Sequence, residues 1–122
     1  MHHEELLEYC SRKPGTTEEF PFDEKTLVFK VMGKMYALTG LERMPPQINL
    51  KCDPEYAEEL RASYPGDITA GWHMSKKHWN TVMMEGDLDD DFIYALIDHS
   101  YELVVKKMPK KLREELAQIN NQ

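Results

Sequence analysis

Between His73 and Val82 the chain reads HMSKKHWNTV, a stretch holding two imidazoles, two lysines, a tryptophan and two hydroxyls. His73 and His78 could share a metal across a hairpin. Zinc, however, asks for three or four ligands, commonly at i,i+4 on a helix or beside paired cysteines. The remaining soft donors, Cys10, Cys52 and His99, are scattered along the chain, so no metal site is predicted. Asp98-His99-Ser100 contains the residue types of a hydrolase triad. On a helix, neighbours in sequence do not face one another and only i,i+3 or i,i+4 partners meet, so the three cannot form a relay. No Gly-x-Ser-x-Gly occurs elsewhere. The carboxylates of Gly86 to Asp91 lack the ligand alternation and closing glutamate of a calcium loop and suit a helix start instead. The glycines are dispersed, with no phosphate cradle. The expectation is a non-enzymatic protein with no catalytic residues, no metal and no cofactor.

The basic residues fall in two groups. Lys76, Lys77 and His78 occupy an expected hairpin tip; Lys106, Lys107, Lys110, Lys111 and Arg113 surround Pro109. One account makes them ordinary solvated positions, with lysines complementing the end of a helix dipole. The other places both groups on one surface as a phosphate-contacting stripe. An exposed Trp79 would support the second account by stacking on bases. Strand alternation makes it a core anchor instead.

The elements that must position these residues follow from periodicity. Leu6, Tyr9 and Cys10 lie at helical spacing, with Lys13 continuing the row, and Pro14-Gly15 ends that helix. Phe20-Pro21-Phe22 reads as a short edge strand. Leu27 to Val31 alternates and resumes at Met35, with Gly33-Lys34 as a type II′ connection. A strand carries Ile48, Leu50 and Cys52 on one side, and Asp53-Pro54 starts a helix whose buried stripe is Ala57, Leu60 and Tyr64. Ile68 to Met74 and His78 to Met84 read as two strands. A long helix over 89–107 presents Ile93, Leu96, Ile97, Ser100 and Val104, with Asp98 toward water and His99 at the stripe's edge. A last helix carries Leu112, Leu116 and Ile119. Strands joined by hairpin-length turns, with helices packed on them, make an α+β domain with an antiparallel β-sheet of about five or six strands. Trp72 or Trp79, with the Ile93, Leu96 and Ile97 stripe of the long helix, is expected to be buried against the sheet.

At 122 residues, 41% hydrophobic and 30% charged, the chain suits one domain over 1–122. No apolar run is long enough for a membrane span, and the acidic amphipathic start is no signal peptide, so a cytoplasmic protein is expected. Two distant cysteines define no disulfide framework. Lys and Arg number 15 against 22 Asp and Glu, a net charge of −7 that repels phosphate at long range. A protein-interaction module with no nucleic-acid partner is therefore the alternative to a DNA-binding role. The eight methionines would suit its adaptable packing.

The segments KPGTTEEFPF (13–22), FKVMGKMYAL (29–38), INLKCDPEYAEELR (48–61), HMSKKHWNTV (73–82) and LIDHSYELVVKKMPKK (96–111) resemble the YjbR/MmcQ family of small bacterial proteins. The resemblance spans nearly the whole chain. It implies a CyaY-like α+β fold, described for one member as a double-wing DNA-binding arrangement, and members are commonly labelled DNA-binding. It brings no catalytic residues or cofactor. The positions it carries over are Lys76, Lys77 and His78, with Lys106, Lys107, Lys110 and Lys111. Weak, largely sequence-independent contact with duplex DNA phosphates is the function it implies.

Overall fold

The computed structural model describes residues 1–71 and 74–120. The elements run α1 (His3–Ser11), β1 (Thr16–Glu19), β2 (Thr26–Val31), β3 (Lys34–Gly40), β4 (Gln47–Lys51), α2 (Pro54–Ser63), β5 (Ile68–Ala70), β6 (Trp79–Met83), α3 (Asp90–Lys106) and α4 (Lys110–Asn120). The strands form one six-stranded sheet in the order β1-β2-β3-β4-β6-β5, antiparallel throughout. The expected α+β class is what the chain adopts. No helix among the described residues is long and apolar enough to cross a membrane.

One face of the sheet is covered by α3. Its stripe of Ile93, Leu96, Ile97, Ser100 and Val104 is buried as the heptad-like spacing predicts, against Leu27, Phe29, Ala37 and Leu50. Each fully buried Leu or Ile contributes about 1.5–3 kcal/mol. Asp53 accepts the Tyr56 N–H and Pro54 opens α2, the start that Asp-Pro predicts. At the other end of α2, Tyr64 leaves the stripe: it is the C-cap, 37% exposed, with its ring against Phe92.

Several boundaries differ from the sequence reading, each for a backbone reason. The edge strand is Thr16–Glu19, not Phe20-Pro21-Phe22. Its ladder runs from Thr16↔Val31 to Glu19↔Val28 and stops before Pro21, which has no N–H to continue it. A polar, charged edge strand carries no hydrophobic alternation to betray it, and its charge guards the edge. The β2–β3 connection is Met32-Gly33, with φ of 50° and 81°, and Lys34 already pairs with Val31. Two positive φ values make this a type I′ rather than a II′ turn, the twist that suits a two-residue hairpin. β5 and β6 are shorter than expected, and Trp72 and His73 lie outside the described residues. In α4, Leu116 is buried, Leu112 half-buried and Ile119 exposed.

The centre of the sheet is held unusually. Tyr36 is the extra residue of a bulge, lying between the pairs Phe29↔Ala37 and Lys30↔Met35. Beyond it, β3 and β4 pair only at Ala37↔Leu50 and Leu38↔Asn49. Side chains close both ends of this short ladder. At one end the Thr39 hydroxyl donates to the Gln47 carbonyl at 2.8 Å. At the other, Ser100 Oγ accepts the Lys51 N–H at 2.9 Å and donates to the Tyr36 carbonyl at 2.5 Å. Removing the Ser100 hydroxyl strands a donor and a carbonyl under α3. Ser100→Ala is therefore expected to cost about 1–3 kcal/mol. A urea midpoint equal to that of the parent protein would refute this role.

Candidate functional site

The uncovered face of the sheet carries the candidate site. Strand alternation sends Leu38, Asn49, Thr81 and Trp79 to this side, because their neighbours Ala37, Leu50 and Val82 face the helices. These four residues, with Met35, floor a groove of about 580 Å³ across the four central strands. Phe22, from the β1–β2 connection, and Met74 and Ser75, from the β5–β6 connection, wall it on opposite sides. The floor is mainly apolar, with one fixed polar pair: Thr81 Oγ1 donates to Asn49 Oδ1 at 2.6 Å. That bond orients the amide so that Asn49 Nδ2 has N–H groups to offer.

Trp79 is 8% exposed, as a core anchor would be, but register puts it on the face away from α3. Its burial leaves it unsuited to the stacking role. Instead it forms a wall shared with a second cleft of about 360 Å³, lined by Lys34, Met35, Lys51, Trp79, Val104, Lys107 and Met108. Three lysines and no carboxylate line that cleft. Burial holds the Lys51 ammonium below its usual pKa, and the neighbouring Lys107 charge adds to the shift.

The two basic groups read from sequence meet here only in part. Lys107 joins the cleft; Lys106, Lys110, Lys111 and Arg113 are exposed around the α3–α4 corner and do not line it. Lys76 and Lys77 are exposed on the turn before β6. The Arg61 guanidinium donates to the Lys76 carbonyl at 3.1 Å, adding a cation to that turn. The half-buried His78 offers its carbonyl to the Cys52 N–H at 2.8 Å, so the turn is fastened to the residue after Lys51. Lys51 pairs with Trp79 at one end of the β4–β6 ladder. Lys34, Lys51, Lys76, Lys77 and Lys107 therefore gather at one end of the sheet. At the other end, past Met83, come Glu85, Asp87 and the first turn of α3 with Asp90 and Asp91. A chain of negative net charge thus carries a lysine-rich sheet end, with Asp53 following Lys51 there and Lys25 and Arg43 among the carboxylates of the other end. Lys34 and Lys51 were missed in the sequence because each is a lone lysine at a strand end; only register brings them beside Lys107.

The other chemistry-bearing residues are absorbed by the fold. Asp98, His99 and Ser100 point to three different partners. Asp98 accepts the Tyr9 hydroxyl at 2.6 Å and the Lys13 ammonium at 2.5 Å, so it is tied to α1 while its side chain stays 40% exposed to water. His99 Nε2 accepts the Asp53 N–H at 3.2 Å, and Ser100 bridges the sheet. Lys13 also lies over the Tyr9 and Tyr101 rings, at 5.2 Å and 4.9 Å from their centroids. Cys10 and Cys52 are buried free thiols. Burial pushes Cys10 up to about 12 and Cys52 up to about 11, so neither is a thiolate at neutral pH. Among the described residues no three of His, Cys, Asp and Glu converge as metal ligands, and the His73–His78 pairing lies outside them.

Comparison with known proteins agrees with this architecture. The YjbR family profile matches residues 11–103. The uncharacterised protein YjbR of Escherichia coli is 37% identical over 115 residues, covering 94% of this chain and 97% of its own. The uncharacterised protein YyaQ of Bacillus subtilis is 27% identical, covering 82% of this chain and 95% of its own. The crystal structure of Deinococcus radiodurans protein DR2400, with a DUF419 domain, superposes with a TM-score of 0.89 at 43% identity, over 95% of this chain and 88% of that one. A Pseudomonas syringae protein superposes with a TM-score of 0.72 at 29% identity, over 84% and 98%.

Two expectations follow from the titrating groups. Lys51 is a charge the fold disfavours, so Lys51→Met should leave the urea midpoint at neutral pH unchanged or raised; a clear fall would show that its ammonium stabilises the fold. The thiols give the alkaline limit. Their folded pKa values exceed the unfolded value of 9.0, so the stability they contribute is complete below pH 9 and is lost as pH rises toward about 12. Buried Tyr36, also shifted up by desolvation, acts in the same direction. Urea midpoints measured from pH 8 upward should fall above about pH 9; a flat profile would contradict the burial of these groups.

Proposed function

We propose that this chain, which belongs to the YjbR family, is a non-enzymatic binding protein whose basic sheet end contacts the phosphate backbone of duplex DNA. The observation that carries this reading is the gathering of Lys34, Lys51 and Lys107 in one cleft without a carboxylate, beside the exposed Lys76-Lys77 turn. The β2–β3 hairpin bearing Lys34 and the β5–β6 connection bearing Lys76-Lys77 serve as the two wings. The acidic end of the sheet repels phosphate and so orients the approaching duplex. Lysines position a duplex without reading its bases, and the buried Trp79 offers no stacking face. Binding is accordingly weak, nearly sequence-independent and strongly dependent on salt.

A protein partner is the second reading. It is favoured by the exposed Phe20, Phe22, Leu41 and Met44, of which Met44 is 76% exposed. Phe22 and Arg43 border the groove away from the lysine cleft, so an exposed aromatic side chain faces solvent there beside a guanidinium.

A salt titration of duplex binding separates the two. If about five phosphates are neutralised, the log–log slope should lie near −4 to −5. Changing Lys76 and Lys77 to Ala should flatten it by up to about two units, and changing Lys51 and Lys107 to Gln by a similar amount. No binding at low salt, or unchanged slopes in both variants, ends the DNA assignment and leaves the Phe22 border of the groove as the recognition surface.

A further inference from the structure

The groove and the lysine cleft are adjacent, share Met35 and Trp79, and differ in chemistry: the groove has a mainly apolar floor with the oriented Asn49 amide and a single cation, Arg43, among its lining residues, whereas the cleft gathers three lysines. A duplex presents phosphates on a broad convex surface and has nothing to place on the strand floor beside the lysines. We infer that the two together form a binding site for a small organic anion, its apolar or aromatic body lying on Met35 and Leu38 and its acidic group held by Lys51 and Lys107. This goes beyond the duplex reading and does not rest on it.

Size and charge choose this occupant. Pockets for small molecules run to about 300–1,000 Å³, mostly apolar with a few placed polar groups, and the groove at about 580 Å³ matches that composition. Asn49 Nδ2 is the placed donor on the floor, its partner Oδ1 being committed to Thr81. The acidic group is assigned to the end where Trp79 is the common wall, because the three ammonium groups of the cleft lie beyond it, against the single Arg43 guanidinium at the far end of the groove. Neutralising Lys51 and Lys107 relieves two like charges lining one partly desolvated cleft, where burial first and the Lys107 charge second hold the Lys51 ammonium below its usual pKa. A cation would meet the opposite: three ammonium groups and no counter-charge. A wholly apolar ligand would leave the lysines as they are.

The test uses anilinonaphthalene sulfonate, an aromatic body carrying one anionic group, titrated by fluorescence into the whole protein without DNA. Its position is read from backbone amide shifts. The expected result is saturable one-site binding, with shifts centred on Met35, Leu38, Asn49, Trp79 and Thr81. Two variants divide the site. Leu38→Trp fills the groove floor without touching charge; Lys51→Gln combined with Lys107→Gln removes charge without touching the floor. Each should weaken the probe by about tenfold or more, since a charge-assisted contact or a filled pocket is worth at least that factor. Leu38→Trp should leave the duplex salt slope as it is, so failure of the groove and failure of the DNA reading are separable. Should Leu38→Trp not fold, the surface lysine pair still carries the test. Absence of saturable binding, shifts centred elsewhere, or unaltered affinity in the lysine variant overturns the inference.

Discussion

The Ser100 hydroxyl sits where the sheet would otherwise come apart. Tyr36 interrupts the β2–β3 ladder as a bulge, and the β3–β4 ladder beside it is only two residue pairs long. The Tyr36 carbonyl on β3 and the Lys51 N–H on β4 lie beyond the paired residues of that ladder, and one hydroxyl from α3 satisfies both. Buried backbone groups must be paired, so the helix cannot slide or rotate without orphaning them. The same bond places Lys51, whose N–H it holds, and with it the register that sets Trp79 opposite. The candidate site follows from that registration: Lys51 meets Lys107 because α3 continues from Ser100 for two more turns past the end of β4.

Charge is distributed along the sheet rather than across its faces. Both ends are set by helix α3, which begins among carboxylates and finishes at Lys106. Such an arrangement satisfies the helix dipole. It also produces a molecule whose net charge of −7 conceals a lysine-rich end. Lys51 is the residue for which the dipole offers no account. It lies on a strand, is partly desolvated and is repelled by Lys107, and nothing in the packing requires a charge there. A group held at a cost to the fold is a common mark of function.

Asp98-His99-Ser100 shows how a catalytic-looking triplet can be wholly architectural. Helical rotation sends the three side chains to α1, to the start of α2 and to the sheet, so one turn of α3 fastens three elements. The polarity of these residues is a requirement of the junctions they serve: each meets a backbone or side-chain group that an apolar residue would leave unpaired.

Much of the fold was legible because it depends on local order. Helical spacing named all five buried residues of α3, and Asp53-Pro54 marked the start of α2, since a cap and a pre-set φ act within one turn. The Thr16–Glu19 strand was not legible: its residues are polar, and only pairing with Val28 to Val31 makes them a strand. Likewise Lys76, Lys77 and Lys107 were visible as runs, whereas Lys34 and Lys51 were single lysines with no local signal. Trp79 was recognisable as buried, but the choice of face rests on the Lys51↔Trp79 register. By itself the sequence determined the helices and the antiparallel class, because periodicity and capping are written within a few residues. Tertiary structure alone decided which lysines share a cleft and which strand face stays open, because those depend on hydrogen-bond register between segments far apart in the chain.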